Sequence, residues 1–146
     1  MKTTLVELKA LIKTKLQSIV DGSGNQMMGD IFDYPNGEFK KYPVAVIIDS
    51  GMTGIELDMA RNERTFHFLV NLFQEQTHAG KTNQTASEAM EAVADKLIIA
   101  FDKDIDFGGE VERVRVVDGS FDFKVSAGTF NFATFKIDIV TIVPNY

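Results

Sequence analysis

A chain of 146 residues with 45% apolar and 25% charged side chains carries too much hydrophobic material for a disordered protein and fits one domain, spanning 1–146. It has no cysteine, which excludes disulfides, thiolate chemistry and cysteine–metal sites. A net charge of −6 argues against an overall grip on a nucleic-acid backbone, and no apolar run reaches the roughly 18 residues of a membrane helix.

The opening Met1-Lys2-Thr3-Thr4 lacks the features of a secretion signal, so the expectation is a protein retained where it is made, with no membrane partner. From Thr4 to about Val20, Leu5, Leu8, Ile12, Leu16 and Ile19 recur at three- and four-residue steps, which predicts an amphipathic helix. Thr4 and Glu7 form a capping-box pair at its start, and Asp21-Gly22-Ser23-Gly24-Asn25 ends it. Ile31, Phe32 and Tyr34 suggest a short strand before the turn Pro35-Asn36-Gly37. The apolar run Val44 to Ile48 reads as a buried strand that stops at Asp49-Ser50-Gly51, and Thr53 to Leu57 as another.

Arg64 to Glu75 is the clearest strand. Phe66, Phe68, Val70 and Leu72 share one face, and His67, Leu69, Asn71 and Phe73 the other. Gln76 to Gln84 is polar and reads as a loop. Thr85 with Glu88 then predicts a second capping box, ahead of a helix whose apolar positions are Met90, Val93, Ala94, Leu97, Ile98 and Phe101. Val111 to Val117 and Phe121 to Val125 read as two strands joined by a hairpin turn at Asp118-Gly119-Ser120. The last strand, Phe130 to Val143, has polar Thr134, Lys136 and Asp138 among apolar residues, which suggests a bulge or change of buried face near its middle. Two amphipathic stripes and a phenylalanine-rich sheet are best buried together. The fold class is therefore α+β, a mainly antiparallel β-sheet with two helices packed on one face.

Candidate chemistry fails on spacing. Asp102, Asp104 and Asp106 alternate as calcium ligands do, but the sixth position is Phe107 and the twelfth Arg113 in place of glycine and glutamate; a solvated acidic loop is the simpler reading. His67 and His78 are too few for a histidine metal site, and no G-x-S-x-G frame surrounds Ser50. The glycines after the first helix lack the lysine–hydroxyl pair of a phosphate loop. No catalytic, cofactor or metal residue is assigned, and a non-enzymatic protein is expected.

Arg64-Thr65-Phe66-His67-Phe68 leads through Val70 to Phe73, followed by a polar loop and the helix from Ala86 to Phe101 with Ala94-Asp95-Lys96-Leu97 inside it. Phe101-Asp102, the Gly108-Gly109 turn, Val111-Glu112-Arg113-Val114 and a long final strand complete the order. Across nearly the whole chain this resembles the tail terminator, or tail completion, proteins of long-tailed bacteriophages, through loose and hydrophobic motifs. The resemblance implies a homo-oligomeric ring, typically a hexamer, at the head-proximal end of a virion tail assembled in the host cytoplasm. Such a ring stops polymerisation of the tail tube protein, offers a surface to the head connector or head-closure protein, and lets DNA pass non-specifically through its channel. A head-closure, tube or other minor tail protein of similar fold is the alternative, and an unrelated binding module or small enzyme a further one.

Under this reading the contact segments are Asp49 to Arg61, with Met52, Met59 and Arg61, and Gln76 to Gln84, with His78 and Lys81. The two methionines either fill the core or present an adaptable apolar surface. Lys9 and Lys13, four apart on the first helix, are candidates to face the DNA channel.

Overall fold

Leu8, Ile12 and Leu16, one per turn, are wholly buried along one side of α1 (Leu5–Gln17). Thr4 caps this helix: its Oγ1 accepts the Glu7 N–H at 3.3 Å, while the Glu7 carboxylate accepts the Thr3 N–H at 3.2 Å. This is a computed structural model that describes residues 1–35, 39–75, 83–123 and 130–144. After α1 come β1 (Asp30–Phe32), β2 (Val44–Glu56), β3 (Arg61–Glu75), α2 (Asn83–Lys103), β4 (Arg113–Phe123) and β5 (Phe130–Pro144).

The strands form one sheet in the order β1-β2-β3-β5-β4, antiparallel except for the short β1–β2 pair. The alternation in β3 decides which face is buried. Phe66, Phe68, Val70 and Leu72 stand beside Ile139, Ile137, Phe135 and Ala133 of β5, and all eight are in the core. Ala45 and Ile47 of β2 and Val114 of β4 extend the same face. Met90, Val93, Ala94, Leu97 and Phe101 of α2 and the buried stripe of α1 close one cluster on it. Both helices therefore pack on one face of a mainly antiparallel sheet, the α+β arrangement that the patterning predicts. Among the described residues no helix is long and apolar enough to cross a membrane.

Four local expectations need correction. Val44 to Ile48 and Thr53 to Leu57 belong to one strand, β2. The register to β3 slips once between Asp49 and Gly51, where Gly51 takes φ 130°, and pairing continues to Glu56↔Asn62. Asp118-Gly119-Ser120 is not a hairpin turn but lies inside β4, whose register shifts only between Val116 and Asp118. There the glycine serves close packing: a Cβ at Gly119 would lie 3.1 Å from the Phe135 ring. β5 pairs with β3 without a slip from Phe130 to Pro144, so it has no bulge there, and from Ile137 to Thr141 it is buried on both faces. Its Thr134, Lys136 and Asp138 are partnered with Asn71, Leu69 and His67 on the face away from the helices. Finally, α2 starts at Asn83, two residues before the expected cap Thr85. The expected loop thus yields Asn83 and Gln84 to the helix, and Gln76 to Thr82, with His78 and Lys81, lies outside the described residues.

Candidate functional site

β2 and β3 are longer than the helices that cover them. Beyond Asp49 β2 and β3 run on as an arm, flanked by β5 as far as Arg61↔Pro144, and every residue from Asp49 to Arg61 is exposed. The arm is not polar. Met52, Ile55, Leu57 and Met59 are 50%, 63%, 44% and 93% exposed, with Met52 and Ile55 on opposite faces of β2. Met52 and Met59 are therefore surface residues of the arm, which decides between the two readings left open for them.

The tip has a defined shape. The Asp58 carboxylate accepts the Ala60 N–H at 2.8 Å, and the Arg61 Nε–H and Nη2–H at 2.9 and 2.8 Å. The Leu57 N–H donates to the Arg61 carbonyl at 3.1 Å, closing the hairpin under Met59. The fork from Arg61, followed by the Ala60 N–H, holds the Asp58 carboxyl below the usual carboxylate range. Arg61 thus acts within the arm, by pinning the turn that displays Met59.

At the root of the arm three strands contribute a hydrogen-bonded chain on the face away from the helices. His67 Nδ1 of β3 lies 2.6 Å from Asp138 Oδ1 of β5, and His67 Nε2 lies 3.5 Å from Thr53 Oγ1 of β2. Asn71 and Thr134 add a second rung, with the Thr134 hydroxyl donating to Asn71 Oδ1 at 3.0 Å. The side chains of His67 and Asp138 are 19% and 11% exposed. Hydroxyl, imidazole and carboxylate in this order are the elements of a nucleophile–base–orienter set. The first link, however, is at the outer limit of a hydrogen bond. Sequence reading saw His67 as structural or interfacial and missed its partners, because they lie 14 and 71 residues away in the chain.

The lysines of α1 are engaged with the body. Lys9 Nζ donates to the Asp33 carbonyl at 3.1 Å and stands 3.3 Å from Asp49 Oδ2, tying the helix to the foot of the arm. Lys13 is half-buried one turn later. Lys15 Nζ donates to Asp104 Oδ2 at 2.6 Å, and the Gly108 N–H donates to Asp104 Oδ1 at 3.0 Å. Asp104, one of the three alternating aspartates, thus joins α1 to the turn after α2. Hydrogen bonding from Lys15, against the opposing effect of burial, lowers its pKa. Among the described residues no group of three or more histidine or acidic side chains is placed to hold a metal ion.

At the other side of the sheet, α2 and β4 enclose an open groove of about 350 Å³. It is lined by Ile98, Val116, Val117, Gly119, Phe121 and Phe135 together with the acidic Asp102 and Asp118, and Val117 and Phe121 remain 40% and 47% exposed. Sequence reading missed this feature, since the expected hairpin at Asp118-Gly119-Ser120 would have folded Phe121 back on Val117. No protein-family model matches the chain, and no curated protein matches it either.

Proposed function

We propose that this chain is a structural assembly protein of a bacteriophage tail: a ring-forming terminator that caps the tail tube, stops its growth and presents a surface for head joining. The observation that carries the assembly reading is the apolar arm. A hairpin that exposes Met52, Ile55, Leu57 and Met59, with a tip pinned by Asp58 and Arg61, has surface to bury against another protein. Methionine suits such a site because its unbranched, polarizable side chain adapts to irregular partners. The tail-specific part rests on the order and character of the elements quoted above for the resemblance. Lys9 is held by Asp33 and Asp49, so a DNA-facing role for Lys9 and Lys13 would need a channel that approaches this side of α1.

The test is electron microscopy of the protein mixed with its tail-tube protein, scoring tube length and end density. Tubes of limited length with an added ring at one end are the expected result. Uncapped tubes of unlimited length at saturating protein would refute the terminator role and favour a head-closure or other minor tail protein.

The Thr53–His67–Asp138 chain supports a second reading, a small hydrolase acting through Thr53. Its test is turnover of an activated ester by the protein and by His67→Ala. Turnover no faster than that of free imidazole would discard it.

A further inference from the structure

β2 is an edge strand for most of its length. β1 covers only Val44 to Val46, so among the described residues no strand pairs with the outer side of β2 from Ile47 to Glu56. Among those residues, too, no hydrogen bond outside the β2–β3 ladder engages the backbone of Ser50 to Ile55. This stretch carries neither a charged residue nor a proline, the usual guards of a free edge. Its outward N–H and C=O groups are open to a strand of matching direction.

We propose that the occupant is a second copy: two arms pair antiparallel through their β2 edges about a twofold axis at Thr53, joining two sheets into one. Three features of the single chain fit this partner. The first is register. The slip between Asp49 and Gly51 breaks the alternation of faces, so Gly51 to Ile55 is the regular stretch below Glu56. The symmetric antiparallel pairing that uses all of this stretch sets Thr53 against Thr53, Met52 against Gly54 and Gly51 against Ile55. Every pair joins like faces. Met52 and Gly54, partnered with Phe66 and Arg64, share the helix side, and Gly51, Thr53 and Ile55 the other. Because paired residues differ by an even number of positions, outward-facing backbone groups of one copy meet outward-facing groups of the other.

The second is side-chain fit. On the helix side the two copies of Met52 lie diagonally across the axis, about 7–8 Å apart, and reach each other because the Gly54 beside each has no side chain. On the opposite face each Ile55 lies over Gly51 of the other copy and diagonally beside its Thr53. The two threonines face each other, a favoured cross-strand pair.

The third is length. In this register Asp58 of one copy falls about opposite Ile48 of the other, so the incoming hairpin turns back short of β1, which pairs no further than Val46. Glu56 arrives at Ser50, on the face that carries the Asp49 carboxylate. Lys9 Nζ stands 3.3 Å from that carboxylate and offsets the approach of the second acid. The contact is one short strand pair, so the dimer is reversible and forms as concentration rises. The inference goes beyond the proposed function and rests on the free edge, not on the tail reading.

The absence of native cysteine allows a direct test on the full chain. Thr53 meets its own counterpart at a Cα separation of about 4.5–5.5 Å, which a disulfide spans. The two copies of Ile55 are separated by the span from Gly51 to Ile55, roughly 14 Å, beyond a disulfide's reach. Mild oxidation of Thr53→Cys should therefore give a covalent dimer on a denaturing gel, while Ile55→Cys stays monomeric, with circular dichroism checking both folds. Wild-type protein should sediment as a reversible monomer–dimer equilibrium. Thr53→Lys, which sets two ammonium groups against each other at the axis, should sediment as a monomer at the same concentration. Equal crosslinking of the two cysteine variants would overturn the proposal, and so would a Thr53→Cys protein that never crosslinks. A wild type that stays monomeric at high concentration would also overturn it and leave the edge to a strand from another protein. These measurements are made without tail tubes. Protein that caps tubes but never pairs would refute the dimer alone, and protein that pairs but does not cap would refute the terminator reading alone.

Discussion

Replacing both Ile55 and Met59 by serine separates stability from assembly. The two side chains are 63% and 93% exposed, so the folded monomer gains little from them. Surface changes of this kind fall within about 0.5 kcal/mol, which for a domain of this size moves the melting temperature by roughly 2 °C or less. Covered by a partner they matter more. Full burial of such a side chain is worth about 1.5–3 kcal/mol, so covering half of the exposed surface of these two gives about 1–2.5 kcal/mol per junction. That corresponds to roughly 5- to 70-fold in affinity, multiplied when several junctions close a ring. Under the proposed terminator function, the assay pairs thermal unfolding of the free protein with the concentration that caps half of the tail tubes. Near-constant melting with a capping midpoint raised at least about fivefold is expected. A fall of more than about 5 °C would show that the arm belongs to the monomer's own core. Unchanged melting with unchanged capping would refute its role in assembly.

Three further outcomes follow from the same geometry. Gly29→Ala should destabilise strongly, by about 2 kcal/mol or more, because its Cβ would lie 2.4 Å from the Lys41 carbonyl oxygen; wild-type urea stability in this variant would contradict the packing of that segment. Asp104→Asn should cost about 1 kcal/mol or less at pH 7, since the Lys15 pair is partly solvated. The folded-state pKa of Asp104 is depressed, so its contribution is present above the unfolded value near 4 and is lost as pH falls through the folded value. The gap between wild type and Asp104→Asn should therefore narrow in urea titrations from pH 7 to pH 3, and a gap of equal size at both would exclude the ion pair as its source. Asp138→Ala should cost about 1–3 kcal/mol by leaving the His67 ring without its 2.6 Å partner, whereas Thr53→Ala, losing a 3.5 Å contact, should cost about 0.5 kcal/mol or less. Equal losses in the two variants would mean that the three groups act as one unit.

What the sequence by itself determined is the set of features encoded by local spacing. The stripe Leu8, Ile12, Leu16 and the run from Met90 to Phe101 specify two helices and their buried sides, because a 3.6-residue period places those residues together whatever else the chain does. Phe66, Phe68, Val70 and Leu72 likewise specify the inner face of β3 through the two-residue period of a strand. With Thr4 as cap, these local patterns were enough for the α+β class and for helices on one face.

The tertiary structure decided where strands continue and which polar residues meet. Glycine beside aspartate and serine is a turn signal in isolation, yet both Asp49-Ser50-Gly51 and Asp118-Gly119-Ser120 lie in continuous strands. In each case a long neighbouring strand, β3 or β5, supplies backbone partners on both sides of the glycine, and a one-residue bulge costs less than giving up half the ladder. The same long-range pairing carried the arm past the core, turning Met52 and Met59 outward, and brought Asp138 to His67 across 71 residues. Spacing along the chain records none of these distances, because strand pairing is set by contacts made only after the sheet has assembled.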